Sequence, residues 1–515
     1  MKNVPIFFEL KLASLAIFSL IALSQGAAAR LADVGDDLQA ILDSGENLEL
    51  KAGKVYEIKK PLRMKKPGQK ISTPNAKTVG DYARLRLVAE DSARILDMGG
   101  IEGAEIENIL FDGNRYAPRD PQKRESLVQA GGRRGNSQKV KNCAFINGRG
   151  WSFLHVFEPA EGIEITGAFM FGSGVDCRGS GASEVDKPFP WGDGVSLAAA
   201  KSKVWNNLII DTTDVGVVVF CAPGSKVFDN VVATISRESL GAVNMVDTTG
   251  YYENPKDSKR FDYTGVEVKN NLADAKGARI HIAFPIGKHI WGPGENAGRS
   301  GRIVYGGSVL NNEIRGVCTG YGIALHGVEN FKVKGNKSSA AYSRAGDGMH
   351  HVRTAYPAAF LYDKKTVKNC ELQEDFETTP LNMVHLLACN FGDRRNGGEG
   401  FRMYQYGASE AMGVIDTAFR EMLKRPPNAG ELARFALLID AEKLSADSLR
   451  LKLAETSEFR LKNRGFKPEK LHEWRAEMWL EALDRVQREQ LAKTGTLPDA
   501  KSAYSRTWKI VSEGK

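Results

Sequence analysis

Gly194-Val-Ser-Leu197, Gly216-Val-Val-Val219, Ala242-Val-Asn-Met245 and Gly322-Ile-Ala-Leu325 share one pattern: a small residue, then apolar–any–apolar. The alternation also occurs at Gly150-Trp-Ser-Phe153, Gly174-Val-Asp-Cys177, Arg279-Ile-His-Ile282 and Gly348-Met-His-His351. In chain order the copies start 24, 20, 22, 26, 37, 43 and 26 residues apart. A recurring period in the twenties marks a solenoid, with the two long intervals holding two turns or one turn and a long loop. Period two inside each copy predicts strands rather than helices.

A second register runs beside the first. Asn142, Asn207, Asn230, Asn271, Asn312, Asn336 and Asn369 mostly precede apolar strands, as in Asn207-Leu-Ile-Ile210. On stacked turns one side-chain amide bonds the next, so a buried internal ladder satisfies every member. Glycine supplies the turns that need positive φ. Together these predict a parallel β-helix. Over residues 35–390 the chain resembles the right-handed parallel β-helix superfamily, which includes pectate-lyase-like carbohydrate-active enzymes. The expected fold is a right-handed, single-stranded parallel β-helix over residues 30–405. A small all-α domain follows over 406–515, and a signal peptide precedes over 1–29.

The leader reading rests on Lys2 and Lys11, an apolar run from Leu12 to Leu23, and Ala27-Ala-Ala29 as a small-residue cleavage site. The run is too short to span a bilayer. The mature chain is therefore expected to be secreted or periplasmic, with no membrane attachment once cleaved. Cleavage removes Lys2, Lys11 and Glu9, taking the net charge from +8 to +7. A mildly basic exported protein suits an acidic polymer. Its charges are scattered, so a mixed solvated surface is the competing reading and nucleic acid is not expected. The six cysteines (Cys143, Cys177, Cys221, Cys318, Cys370 and Cys389) are compatible with disulfides in an oxidising compartment or with buried thiols. They show no zinc spacing, and no metal site is expected.

Asp36-Asp-Leu-Gln-Ala-Ile-Leu42 predicts a short helix plugging the first turn, followed by strands at Asn47–Leu50 and Val55–Ile58. Such a cap covers an open core. Asp112-Gly-Asn114 resembles a turn common in early rungs of the superfamily. Residues 117–138, with Arg119, Lys123, Arg124, Arg133 and Arg134, read as a polar loop beside the solenoid. Two further loops, Asp247–Asp262 and Gly287–Arg302, offer Tyr251, Tyr252 and Trp291 as stackers for sugar rings or anchors for their own loops.

Beyond about Gly407 glycine thins and helix formers dominate. Helices are predicted over Ala411–Lys424, Ala429–Ile439, from Ser445 to Leu453, and over Leu471–Leu491. Phe419-Arg-Glu-Met-Leu-Lys-Arg-Pro-Pro-Asn-Ala-Gly430-Glu-Leu, with Ser457-Glu-Phe459, resembles a small helical domain of unknown function. That domain is found on bacterial secreted repeat proteins and exopolysaccharide-associated proteins. The apolar helix stripes read as core or as a docking face for a protein partner.

Alternation places one residue per rung in an outward column: Ser152, Asp176, Ser196, Val218, Asn244, His281, Ala324 and His350. Asp176, Asp193, Asp214 and His281 are the catalytic candidates, and Arg178, Asn244, Trp291 and His350 the substrate-binding ones. Hydrolysis needs two carboxylates about 5–9 Å apart, which residues one or two rungs apart supply. Asp176 with Asp193 or Asp214 fits. β-Elimination needs a base, here His281 or a Lys or Arg, and neutralisation of a uronate by Arg178 or a bound Ca²⁺. No other cofactor is implied.

The chain lacks the Gly-His-Gly and Arg-Ile-Lys signature of polygalacturonase-type hydrolases. It also lacks Trp-x-Asp-His and Arg-x-Pro-x-x-Arg of pectate lyases, together with their acidic calcium cluster. Asp193-Gly-Val-Ser-Leu197, Thr213-Asp-Val-Gly216 and Ala222-Pro-Gly-Ser225 resemble exported β-helix proteins of poorly known activity. Nucleotide-binding and nucleophile-elbow motifs are absent. Two functions are expected from this. One is a lyase or hydrolase acting on an acidic polysaccharide. The other is a non-catalytic polysaccharide-binding or assembly protein that docks through its helices.

Overall fold

A computed structural model describes residues 28–115, 125–174, 191–246, 250–254, 256–287, 290, 302–342, 358–378, 408–442 and 444–514. Residues 1–27, most of the expected signal peptide, lie outside the described residues, as do Asp176, Arg178, Trp291 and His350. Cys177, Cys389, Arg119, Lys123 and Arg124 lie outside them too.

The chain is a right-handed parallel β-helix followed by a helical domain. Each rung contributes a strand to three long sheets of 12, 10 and 11 described strands, termed A, B and C. A fourth sheet of five strands arises where later rungs lengthen, and its first pair, Glu253–Asn254 with Asp257–Asp262, is an antiparallel hairpin. The remaining pairings are parallel, in register from rung to rung.

Sheet A strands such as Lys139–Lys141, Lys203–Trp205 and Lys226–Phe228 bury only their central residue. Val140, Val204 and Val227 enter the core, and the flanking positions face solvent. Ion pairs link Lys70 to Glu105, Lys141 to Glu105 and Lys203 to Glu164 along that face. Sheet B differs. Phe169–Phe171, Leu208–Ile210 and Val231–Ala233 are buried at every position. Two-sided burial of this kind requires a cover.

The helices provide it. α1 (Leu38–Ser44) plugs the first turn, N-capped by the Asp37 side chain. α2 (Ala408–Leu423), α3 (Ala429–Glu442), α4 (Ala446–Ala454), α5 (Ser457–Lys462), α6 (Leu471–Thr494) and α7 (Ala500–Glu513) make the C-terminal domain. Ser445 and Thr456 cap α4 and α5, and Asn428 with Glu431 forms a reciprocal capping box at α3. α7 was not anticipated by the sequence reading. Trp479, Leu483, Ala503 and Tyr504 of α6 and α7 pack on Phe169, Phe171, Leu208, Ile210 and Val231 of sheet B. The stripes expected as core or docking face are thus core against the chain's own sheet. Leu437 and Leu461 are the large apolar side chains most exposed in the domain.

The amide ladder forms with changed membership. Asn207, Asn230, Asn271 and Asn312 each donate through Nδ2 to the next Oδ1, at 2.9–3.0 Å, ending on Asn336. Gln373 accepts from Asn336 and extends it. Each of these amides also donates to a backbone carbonyl, from Ile165 to Val309. Asn142 and Asn369 are not members; they occupy left-handed turn positions at φ 48° and 51°. Cys143, Cys318 and Cys370 are free thiols.

Candidate active site

Sheet C carries the longest strands, and the described catalytic candidates, Asp193, Asp214 and His281, lie where those strands begin, whereas Asn244 ends its strand. Strand register fixes their places. Ser196 stands level with Val218, and Val218 with Asn244. Ala324 is level with Pro285, which falls opposite Asn244. The residue on the preceding rung is His155, not Ser152. The observed column is therefore Gln129, His155, Ser196, Val218, Asn244, Pro285, Ala324 and Leu361.

His281 is displaced four residues from the column in which it was expected. It is level with Leu240, which is level in turn with Asp214. The cause is a miscounted copy: Ala283-Phe-Pro-Ile286, not Arg279-Ile-His-Ile282, matches the small-residue pattern. The displacement brings His281 toward the carboxylates. Asp193, Asp214, Glu238 and His281 sit at the starts of four successive sheet C strands. Rungs stack about 4.8 Å apart, so Asp214 and His281, level with each other two rungs apart, have backbones about 10 Å apart, while Glu238 on the rung between stands two residues earlier along its strand.

Glu238 Oε2 lies 3.2 Å from His281 Nε2, and both side chains are buried (3% and 2% exposed). Asp193 is buried too, accepting from Ser196 Oγ at 2.7 Å and from the Val215 N–H at 3.2 Å. Asn244 is buried and its Oδ1 accepts from the Val246 N–H. Asp214 is half-buried; its carbonyl accepts from Leu240 N–H and Ser239 Oγ. His281, expected to be exposed, is buried, and Asp214 is the most accessible carboxylate of the row.

Two other features escaped the sequence reading. First, Arg279 Nη2 pairs at 2.9 Å with Glu410 of α2, so the helical domain reaches the same neighbourhood. Second, an aromatic ledge crosses the outer face of sheet C. His155 lies between Trp151 and Phe157, with ring centroids at 4.4 and 3.8 Å, and Phe220 stands 6.2 Å away. Trp191 and Phe220 continue the ledge over Val215, Val218 and Leu240. Trp151, Phe157, Trp191 and Phe220 are partly exposed. Tyr252 anchors its own loop by donating to the Ala198 carbonyl, whereas Tyr251, packed edge-on against it, is 59% exposed. The sequence signal was present: Trp151, His155 and Phe157 share one strand face.

The electrostatics of the ledge follow from burial. Desolvation, helped by the Arg94 cation, lowers the His155 imidazole to about 3, so it is a neutral ring within the aromatic group. Burial pushes the Cys318 thiol well up, with Glu410 and Glu238 acting the same way and Arg279 opposing them. At the far end of sheet C, His326 Nε2 lies 2.8 Å from Asp363 Oδ2. Burial would raise that carboxyl, but the His326 contact and bonds from Lys365 and Thr366 hold it below its usual range.

No group of three or more metal-ligating side chains occurs among the described residues. A cavity of about 60 Å³ beneath α6 and α7, lined by Tyr82, Cys143, Leu483 and Ala503, is far below the ~300 Å³ of a ligand pocket. The open face of sheet C is the better candidate.

No protein-family model matches the chain, and no curated protein matches it. Solved structures do. A tailspike protein of E. coli bacteriophage HK620, in complex with a pentasaccharide, is 10% identical with a TM-score of 0.46. The match covers 70% of this chain and 64%, less than two thirds, of that one. A mannuronan C-5 epimerase A-module from Azotobacter vinelandii is 14% identical with a TM-score of 0.37, over 67% of this chain and 96% of that one. An endo-xylogalacturonan hydrolase from Aspergillus tubingensis is 9% identical with a TM-score of 0.38, over 69% and 97%. Similarity at this level carries no weight for reaction or substrate.

Proposed function

We propose that the protein is an exported, carbohydrate-active β-helix protein that binds an acidic polysaccharide along sheet C and cleaves it by acid–base chemistry. The observation that carries the reading is the row Asp214, Glu238 and His281 on three successive rungs, with Glu238 in contact with the imidazole. A carboxylate against an imidazole fixes the ring's orientation, which suits a proton-transfer pair. Asp214, on the rung before Glu238, supplies the second carboxylate that hydrolysis needs. The aromatic ledge gives apolar faces on which sugar rings stack. The basic start, the apolar run from Leu12 to Leu23 and Ala27-Ala-Ala29 support export.

The burial of Glu238 and His281, set against the exposure of Tyr251, favours a second reading: polysaccharide binding without cleavage.

A panel of acidic and neutral polysaccharides decides between them. Reducing ends and unsaturated-uronate absorbance would be followed for the mature protein and for Asp214→Asn and His281→Gln. Reducing ends alone, lost in Asp214→Asn, identify a hydrolase. Absorbance lost in His281→Gln identifies a lyase. Binding to a polymer that is never cleaved, weakened by Tyr251→Ala, overturns the enzymatic reading in favour of the second.

A further inference from the structure

Glu410 stands in the first turn of α2, on the helical domain, yet its side chain is fully buried against the β-helix. Close approach of helix and solenoid puts it there. A Cβ on Gly413 would lie 2.3 Å from Val317 Cγ2, and one on Gly277 would lie 2.4 Å from Thr417 Cγ2. Thr417 Oγ1 donates to the Lys276 carbonyl at 3.1 Å. α2 is thereby seated on the turns at 275–279 and 317, and Glu410 Oε2 meets Arg279 Nη2 at 2.9 Å.

Arg279 is on the rung that bears His281, and its carbonyl accepts from the Ser239 N–H, one residue from Glu238. Cys318 is on the following rung, its carbonyl accepting from the Ile280 N–H, and its thiol feels Glu410, Arg279 and Glu238 together. Among the described residues, the charged and titratable groups on these neighbouring elements are Glu238 and Asp214 from the preceding rungs, Arg279 from the strand of His281, Cys318 from the next rung and Glu410 from α2. Arg279 has two carboxylates within this neighbourhood, and a buried guanidinium stripped of one partner turns to another.

Resting on the acid–base reading above, we infer that Glu410 is a positioning residue of the sheet C site. By holding Arg279, it leaves the Glu238 carboxylate to His281. The helical domain is then part of the active site, and its removal alters the chemistry as well as the fold.

The test uses the full-length mature chain labelled with ¹⁵N-histidine. His281→Gln assigns the resonance among the eight histidines. Glu410→Gln keeps a hydrogen-bond acceptor for Arg279 but removes the charge. The His281 ring-nitrogen signals should move in Glu410→Gln and return in Glu410→Gln/Arg279→Gln, where no guanidinium competes for Glu238. On a cleaved substrate, kcat should fall about tenfold in the single variant with KM little changed, and recover in the double variant. Unmoved His281 signals in folded Glu410→Gln would overturn the inference. Should the single variant not fold, displaced His281 signals in the double variant would overturn it equally. If no polysaccharide is cleaved, the reading of the site falls while the ring-nitrogen signals still decide the role of Glu410.

Discussion

Arg475 of α6 donates through Nη2 to Asp211 Oδ2 of the β-helix at 2.9 Å, and both side chains are fully buried. Glu421 of α2 accepts from Arg475 Nε at 2.9 Å, from Trp479 Nε1 at 3.1 Å and from Arg450. Asp211 also accepts from the backbone N–H groups of Ile235 and Ser236. Three helices and a solenoid turn thus meet on one ionic network. Breaking a buried pair by removing one partner leaves an uncompensated charge and costs about 3–5 kcal/mol. Arg475→Met is expected to lower the urea midpoint accordingly. Loss of the helical domain's protection from protease before that of the β-helix would place the weakened contact at this interface.

The same network sets an acid limit. Burial alone would raise Glu421, but Arg475 and Arg450 hold it down at about 2, against an ordinary 4.5. A carboxylate depressed in the folded state contributes stability that is fully present above 4.5 and lost as pH falls toward 2. Chemical unfolding between pH 5 and pH 2.5 should show this loss, and Glu421→Gln should flatten the curve while lowering stability at neutral pH.

His155 acts over a different window. Its folded value of about 3 lies below the ordinary 6.5, because of burial and then Arg94. Between those values the unfolded chain holds a proton that the folded chain does not. Stability therefore falls as pH drops below 6.5, by about 1.4 kcal/mol per pH unit for this group. His155→Phe keeps the ring among Trp151, Phe157 and Phe220 and removes the proton. The difference between the two proteins from pH 6.5 to 4.5 should follow that slope; parallel curves would show that the imidazole is not held neutral.

The ladder separates two kinds of asparagine. Asn271 accepts from the Asn230 backbone and side chain and donates to Asn312 Oδ1 and the Val227 carbonyl. Asn271→Ala strands several buried groups at about 1–3 kcal/mol each, so a loss of about 3 kcal/mol or more is expected. Asn369 instead holds a turn at φ 51°, which glycine adopts freely. Asn369→Gly is expected to leave the thermal midpoint almost unchanged.

That contrast also shows what the sequence disclosed. Periodic strands and a ladder are written locally, so the β-helix and most ladder members were legible. Absolute alignment between rungs is not, because a loop of unknown length resets the count. The shift from Arg279 to Ala283 as the matching position moved His281 out of one column and beside Glu238. Ser196 and Asn244 were correctly aligned on the outward side of their strands, where both are nevertheless buried. Leu208-Ile-Ile210 and Phe169-Met-Phe171 did signal a cover, since strands apolar at consecutive positions are buried on both faces. Only the structure shows that the cover is the chain's own helical domain, and that it brings Glu410 to the site.

Gly413 puts that docking to a test in which two effects oppose each other. It lies inside α2, where alanine is ordinarily better by about 1 kcal/mol. Its Cβ, however, would lie 2.3 Å from Val317 Cγ2 and 2.8 Å from Val317 Cβ. Overpacking of a close contact costs about 1–3 kcal/mol, so Gly413→Ala is expected to destabilise despite its helix propensity. Val317→Ala removes both γ-methyls, including the nearest contact, and leaves only Cβ at 2.8 Å, so most of the clash should be relieved. The double variant Gly413→Ala/Val317→Ala is therefore expected to be more stable than the sum of the two single changes. Additive losses would mean that α2 is not seated on the turn at 317, and the placement of Glu410 beside Arg279 would fall with it.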